Sequence, residues 1–218
     1  MVRLIAILIG YLFGMVEFSI IISNLFGVDI RKTGDGNTGT ANTFRNVGKL
    51  AGFMVMVLEI AKAAIAVWLG GLLAGDDASM RELLKMYALA GAILGHDFPF
   101  YLKFKGGKGS ACFSGYLIFH QPIAAIPMFI VFLVTMIFTH YIAFAFWIGY
   151  AELLIYFIIA ANIGLLPLSG MMFTEFLCVY LALFALTLIK HRGNIKRMLR
   201  GNEHKTYFFM KPKEEIAR

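Results

Sequence analysis

Long apolar runs separated by three polar islands set the plan of the chain. The runs "LIAILIGYLFGMVEFSIIISNLFG" (Leu4 to Gly27), "MFIVFLVTMIF" (Met128 to Phe138) and "MMFTEFLCVYLALFALTLI" (Met171 to Ile189) carry almost no charge and read as helices that cross a bilayer. Between the first two apolar segments, "GDGNTGTANTFRNVG" (Gly34 to Gly48) holds four glycines and three asparagines and little that fills a core. The pattern predicts an all-α, polytopic membrane protein of about seven transmembrane helices. The first runs from about Val2 to Ile22, the second from about Leu50 to Leu73, and a short third from about Glu82 to Leu94. Between Ala111 and Ile189 four short helices fit better than three: Pro122, the Thr139-His140 pair and "GLLPLSG" (Gly164 to Gly170) mark the breaks. Residues 1–205 form a single transmembrane domain on this reading. Residues 206–218 are a cytoplasmic tail whose end, "FFMKPKEEIAR", reads as disordered.

Composition agrees with the pattern. The 218 residues are 60% hydrophobic and 15% charged, with a mean hydropathy of +0.77, far from the soluble average. A signal peptide fits the N-terminus poorly, because the apolar run is longer than an h-region and no small-residue cleavage pattern follows. Cys112 and Cys178 lie in apolar stretches and are expected to be buried small hydrophobes, with no disulfide and no metal site. The net charge of +7 would suggest a nucleic acid partner in a soluble chain. Here its location says otherwise: 16 of the 20 Lys and Arg fall in residues 31–49, 103–108 and 190–218. The positive-inside rule puts all three clusters on the cytoplasmic side and the acidic "AGDDAS" (Ala74 to Ser79) on the other. The N-terminus is then outside and the C-terminus cytoplasmic, with the lipid bilayer as partner and no nucleic acid.

Each cytoplasmic island combines glycine, a cation and a hydrogen-bonding side chain, the elements of an anion site. Island one offers Gly34, Gly36, Asn37, Gly39, Asn42 and Arg45. Island two offers His96, Gly106, Gly107, Lys108, Gly109 and Ser110, and island three offers His191, Asn194, Lys196, Arg197, Gly201 and Glu203. His191 and Asn194, three apart on a helix, share one face. Ordinary loops with cations at the headgroup boundary are the plainer reading, but headgroup anchoring needs neither the asparagines nor the glycines. A nucleotide P-loop does not fit, since Leu102 and Gly109 occupy the places of its first glycine and its Ser or Thr.

"GDGNTGTANTFRNVGKLAG", "GHDFPFYLKFKGGKGSA" and "HRGNIKRMLRGNE" resemble the three cytoplasmic motifs of the PlsY family of bacterial membrane acyltransferases. The resemblance covers nearly the whole chain. It implies transfer of a fatty acyl group from acyl phosphate to the 1-hydroxyl of glycerol 3-phosphate, giving lysophosphatidic acid in the bacterial plasma membrane, by a monomer without a cofactor. It also implies that Arg45, Lys108, His191 and Asn194 hold the phosphate and glycerol groups. Gly36, Asn37, Gly39 and Asn42 would shape the first loop, and Gly106, Gly107 and Gly109 the second. Because acyl phosphate is already activated, no acyl-enzyme is needed, and a substrate phosphate is the family's proposed proton acceptor.

The chain departs from the family at three places. Asp35 stands where the family has a serine, a carboxylate beside a phosphate unless Arg45 or Lys108 pairs with it; it is a candidate general base or a partner for a glycerol hydroxyl. "THYIAF" puts His140 and Ala143 where the family has Arg and Ser. Glu59 replaces an Asp, and with Lys62 three residues on it forms a pair expected to neutralise itself inside the membrane. Two alternatives stay open: a paralogue with another acceptor, and a transport or lipid-binding protein with Glu17, Glu59, Glu152 and Glu175 as its polar path. His96 is expected to hinge the second island, and His120, His140 and His204 to be interfacial or solvated.

Overall fold

The computed structural model describes residues 1–206; residues 207–218, with the tail expected to be disordered, lie outside the described residues. Ten α-helices make up the described chain: α1 (Val2–Gly14), α2 (Phe18–Leu25), α3 (Thr40–Asn46), α4 (Lys49–Leu72), α5 (Ala78–Asp97), α6 (Ser110–His120), α7 (Pro122–Thr139), α8 (Ile142–Asn162), α9 (Gly170–Lys190) and α10 (Arg192–Leu199). Five stretches are long and apolar enough to cross a membrane: Val2–Leu25, α4, α7, α8 and α9. Helix α5 is long enough but carries Arg81, Glu82, Lys85, His96 and Asp97, and α6, with 11 residues, is about 16 Å long. The breaks after α6, α7 and α8 fall where Pro122, Thr139-His140 and Gly164 to Gly170 predict them.

The first segment differs from expectation. It stops at Gly14, restarts at Phe18 and ends at Leu25, three residues beyond the expected Ile22. The interruption has partners for its free backbone groups. Lys62 Nζ donates to the carbonyls of Gly14 (2.8 Å) and Val16 (2.5 Å), and Glu59 Oε1 accepts from Phe18 N (3.2 Å). Lys62 and Glu59 are themselves paired at 2.5 Å. Inside a membrane an unpaired peptide group is costly, so this pair serves the break as well as neutralising itself.

Helix α5 is the centre of the bundle and packs against α1, α4, α6 and α9. Its crossing with α1 is built from two Gly-x-x-x-Gly steps, Gly10/Gly14 and Gly91/Gly95. A Cβ at Gly10 would lie 2.0 Å from the Ala88 carbonyl oxygen, one at Gly14 2.1 Å from that of Ala92, and one at Gly91 2.1 Å from that of Ile7. The two backbones therefore touch without an intervening layer of side chains. An aromatic core fills the other side, where Tyr150 meets Phe113 (ring centroids 4.4 Å) and Phe184 (5.6 Å), and Phe157 meets Phe176 and Tyr180. Cys112 is buried there, as expected, but Cys178 is on the outer surface of α9, because that helix turns only the face of Phe176, Tyr180 and Leu183 inward. His120, expected to be interfacial or solvated, is half-buried, with Nε2 2.9 Å from the Ala64 carbonyl oxygen.

Candidate active site

Island one closes on a single side chain. Asn42, on α3, donates from Nδ2 to the carbonyls of Thr33 (2.9 Å) and Asn37 (3.0 Å), with Ile30 at 3.4 Å, and its Oδ1 accepts from Asn46 (2.7 Å). Asn42 is thus committed to holding the loop rather than to a ligand. Gly36 has φ +69°, a conformation that favours glycine, and Gly39 caps α3. Asp35 accepts from Asn37 N (3.2 Å) and faces Arg45 across 3.8 Å, so the carboxylate has a cationic partner. The buried hydroxyls of Thr38, in this loop, and Thr40, at the start of α3, have no partner among the described residues.

Island two is laid over the end of α5. Gly107 N donates to the His96 carbonyl (2.9 Å) and Gly106 N to that of Asp97 (3.2 Å), which also takes Lys190 Nζ (2.8 Å). A Cβ at Gly106 would come within 2.0 Å of the His96 carbonyl oxygen, so only glycine allows this approach. Gly109, at φ +71°, turns the chain into α6. Lys108, between them, reaches out to island three, donating to Asn194 Oδ1 at 2.8 Å.

His191 closes α9 and Asn194 lies on α10, both buried. His191 Nδ1 is 2.8 Å from the Thr187 carbonyl oxygen, which can only accept, so Nδ1 carries the proton. Burial, with the added repulsion of Lys108 and Lys190, lowers its pKa to about 4 against the pull of the Thr187 carbonyl. The ring is then neutral at pH 7 and Nε2 is left as an acceptor. Trp147 meets the ring edge-on at 5.9 Å; Ala143, one turn earlier on α8, is buried on the same side. Asn194 Nδ2 donates to Glu203 (2.6 Å), whose other oxygen takes Arg197 (2.7 Å).

The three islands meet at Lys108. Burial lowers its pKa, and Asp35 and Glu203 oppose the shift while Arg197 and Arg45 reinforce it, so charges from islands one and three both act on it. Arg197 and Glu203, offered by island three, are part of the site, and Thr187 and Trp147 join it without having been singled out. The Arg197–Glu203 contact spans the turn at Gly201, where no helical spacing signals it.

Among the described residues Glu59, His96 and Cys112 are a geometric metal set, with donor atoms within 4.8 Å of one another. Lys62 Nζ, 2.5 Å from Glu59 and 3.3 Å from His96, already supplies the positive charge there. Nor do the four intramembrane glutamates line up as a path. Glu175 is bound by Arg3 and Tyr87 near the start of α1, whereas Glu17 lies past its end, about 20 Å away along the helix.

A family model described as glycerol-3-phosphate acyltransferase matches residues 4–201. The chain belongs to this family. The glycerol-3-phosphate acyltransferase of Thermosipho melanesiensis is 37% identical over 217 residues, covering 96% of this chain and 97% of that one. That of Exiguobacterium sibiricum is 36% identical, covering 99% of each. The crystal structure of PlsY, an integral membrane glycerol 3-phosphate acyltransferase, in its glycerol 3-phosphate form superposes with a TM-score of 0.80 at 28% identity, over 99% of this chain and 98% of that one. Its lysophosphatidic acid form gives a TM-score of 0.78. The protein is accordingly a membrane enzyme of the PlsY family, an acyltransferase of phospholipid synthesis.

Proposed function

We propose that the protein moves a fatty acyl group from acyl phosphate to the 1-hydroxyl of glycerol 3-phosphate, releasing inorganic phosphate and lysophosphatidic acid. The observation that carries this reading is the Lys108–Asn194 hydrogen bond between islands two and three, with the charges of Asp35 and Arg45 from island one also acting on Lys108. Two substrates with phosphate groups need such a concentration of cations. Arg45 and Lys108 take the phosphates, with Asn194 and the free hydroxyls of Thr38 and Thr40 as neutral donors. His191, an acceptor at Nε2, aims the glycerol hydroxyl at the acyl carbonyl carbon. The oxygen attacks, the bond from that carbon to the phosphate oxygen breaks, and the hydroxyl proton goes to a substrate phosphate. Asp35, held by Arg45, acts as the resident counter-ion of that arginine. A carboxylate already paired gives no reason to look for a different acceptor.

Topology follows from the same site. With islands one and two at one end of the bundle, α4 leaves that end and α5 returns; with island three there too, α6 to α9 make four passes. This gives seven crossings with the N-terminus outside and the site on the cytoplasmic side of a bacterial plasma membrane. The enzyme works as a monomer and without a cofactor. The test is purified protein with palmitoyl phosphate and glycerol 3-phosphate. Phosphate release and lysophosphatidate should appear together and vanish in Lys108→Ala and His191→Ala. Phosphate release with no lysophosphatidate would refute the acceptor.

A further inference from the structure

One buried cluster joins the break in the first segment to the loop that carries Lys108. Glu17 sits in the break, Glu59 and Lys62 face it from α4, and His96 closes α5; each is at most 4% exposed. His96 Nδ1 stands 3.1 Å from Glu17, 3.2 Å from Glu59 and 3.3 Å from Lys62. The opposite edge of the same ring lies against the second island. A Cβ at Gly107 would fall 2.0 Å from His96 Nε2, and Gly107 N is bonded to the His96 carbonyl. Lys108 is the next residue. The peptide that aims it thus rests on an imidazole whose other nitrogen faces two carboxylates at ion-pair distance, although Glu17 Oε1, Glu17 Oε2 and Glu59 Oε2 have no hydrogen-bond partner among the described residues.

A buried group of charges is weak evidence for stability, since apolar side chains of the same volume often do as well. What such a group supplies is directional: it holds its members in one arrangement, because any displacement leaves a charge unpaired. No member of this cluster reaches Arg45, Asn194 or His191 by any described hydrogen bond or ion pair. We propose that Lys62, Glu17 and Glu59 are positioning residues that fix His96 and, through Gly107, set the place of the Lys108 ammonium, so that they govern affinity for the acceptor phosphate without touching it. This rests on the glycerol 3-phosphate reading above.

The experiment is steady-state kinetics on purified, monodisperse protein with palmitoyl phosphate and varied glycerol 3-phosphate. Lys62→Met should raise KM for glycerol 3-phosphate tenfold or more while kcat changes less than threefold, and Lys62→Arg should recover most of the loss. Glu17→Gln should act in the same direction, and it leaves intact the bonds of Lys62 and Glu59 to the break. If Lys62→Met does not fold, Glu17→Gln decides alone. Glu175→Gln, at the far end of α1, is the control and should leave KM unchanged. KM within twofold of wild type in the folded variants overturns the inference, as does a loss confined to kcat or an equal rise in Glu175→Gln. Wild-type protein that makes no lysophosphatidate overturns the underlying reading and this one with it.

Discussion

Replacing Asp35 by serine separates two roles that a carboxylate in this position can have. Asp35 Oδ2 is 3.8 Å from Arg45, with the two side chains 24% and 37% exposed. At that separation Coulomb's law gives about 1 kcal/mol in water-like dielectric and about 4 kcal/mol at an effective dielectric of 20. The partial exposure argues for the lower end, about 1 kcal/mol. A phosphate that engages Arg45 must compete with this pair and also accept a nearby negative charge, so Asp35 weakens acceptor binding by roughly 1 to 2 kcal/mol. With 1.4 kcal/mol per factor of ten, Asp35→Ser should lower KM for glycerol 3-phosphate by about five- to thirtyfold and leave kcat nearly unchanged. The gain should shrink at high ionic strength, where the wild-type repulsion is already screened. Initial rates of phosphate release against glycerol 3-phosphate concentration, at low and high salt, measure both effects. A kcat that falls a hundredfold with KM unchanged would refute the reasoning and make Asp35 the base that takes the hydroxyl proton.

Other outcomes follow from the same geometry. Asn194→Ala removes the acceptor of Lys108 and the link to Glu203, and should cost roughly 2 to 3 kcal/mol in kcat/KM, about 30- to 140-fold. Because burial lowers the Lys108 pKa, the alkaline loss of kcat/KM should begin below the range of an ordinary lysine, and Lys108→Arg should move it upward. For His191 the folded pKa of about 4 lies below the unfolded value of 6.5, so between them the unfolded chain takes up a proton that the folded one refuses. Stability attributable to this group should fall by up to about 3 kcal/mol as pH drops from 6.5 to 4, and melting curves of His191→Gln should be flatter over that window. Gly106→Ala places a methyl on the His96 carbonyl and should abolish folded, active protein. Gly39→Ala meets only the Asn37 amide, which can swing aside, and should be tolerated.

Where a boundary was legible, the cause was local. Pro122, the Thr139-His140 pair and the Gly164 to Gly170 stretch end helices through their own backbone preferences, so the sequence locates those breaks. The interruption at Met15 to Glu17 has no proline and is made possible by Lys62 and Glu59, over forty residues away, which no local window contains. The resemblance implies that residues of all three islands serve the same substrates, and the Lys108–Asn194 bond joins two of the islands. Asn42 shapes the first loop through its amide, as the resemblance implies, whereas the neutral state of His191 depends on burial that only packing provides. Exposure of Cys178 failed for a simpler reason, since a lipid-facing helix is apolar on every side and its periodicity no longer marks the inner face.

The contact of α1 with α5 has a mechanical consequence. With carbonyl oxygens of one helix seated against the glycines of the other, sliding or rolling between them would drive backbone into backbone. The pair has no slack and must travel as one stiff keel, carrying the ion-paired break at one end and the Arg3–Glu175 tie at the other. The α7–α8 contact is built differently, from side chains such as Phe132 against Phe146 (4.9 Å) and Met128 over Gly149, so no backbone interlock of that kind joins those two helices.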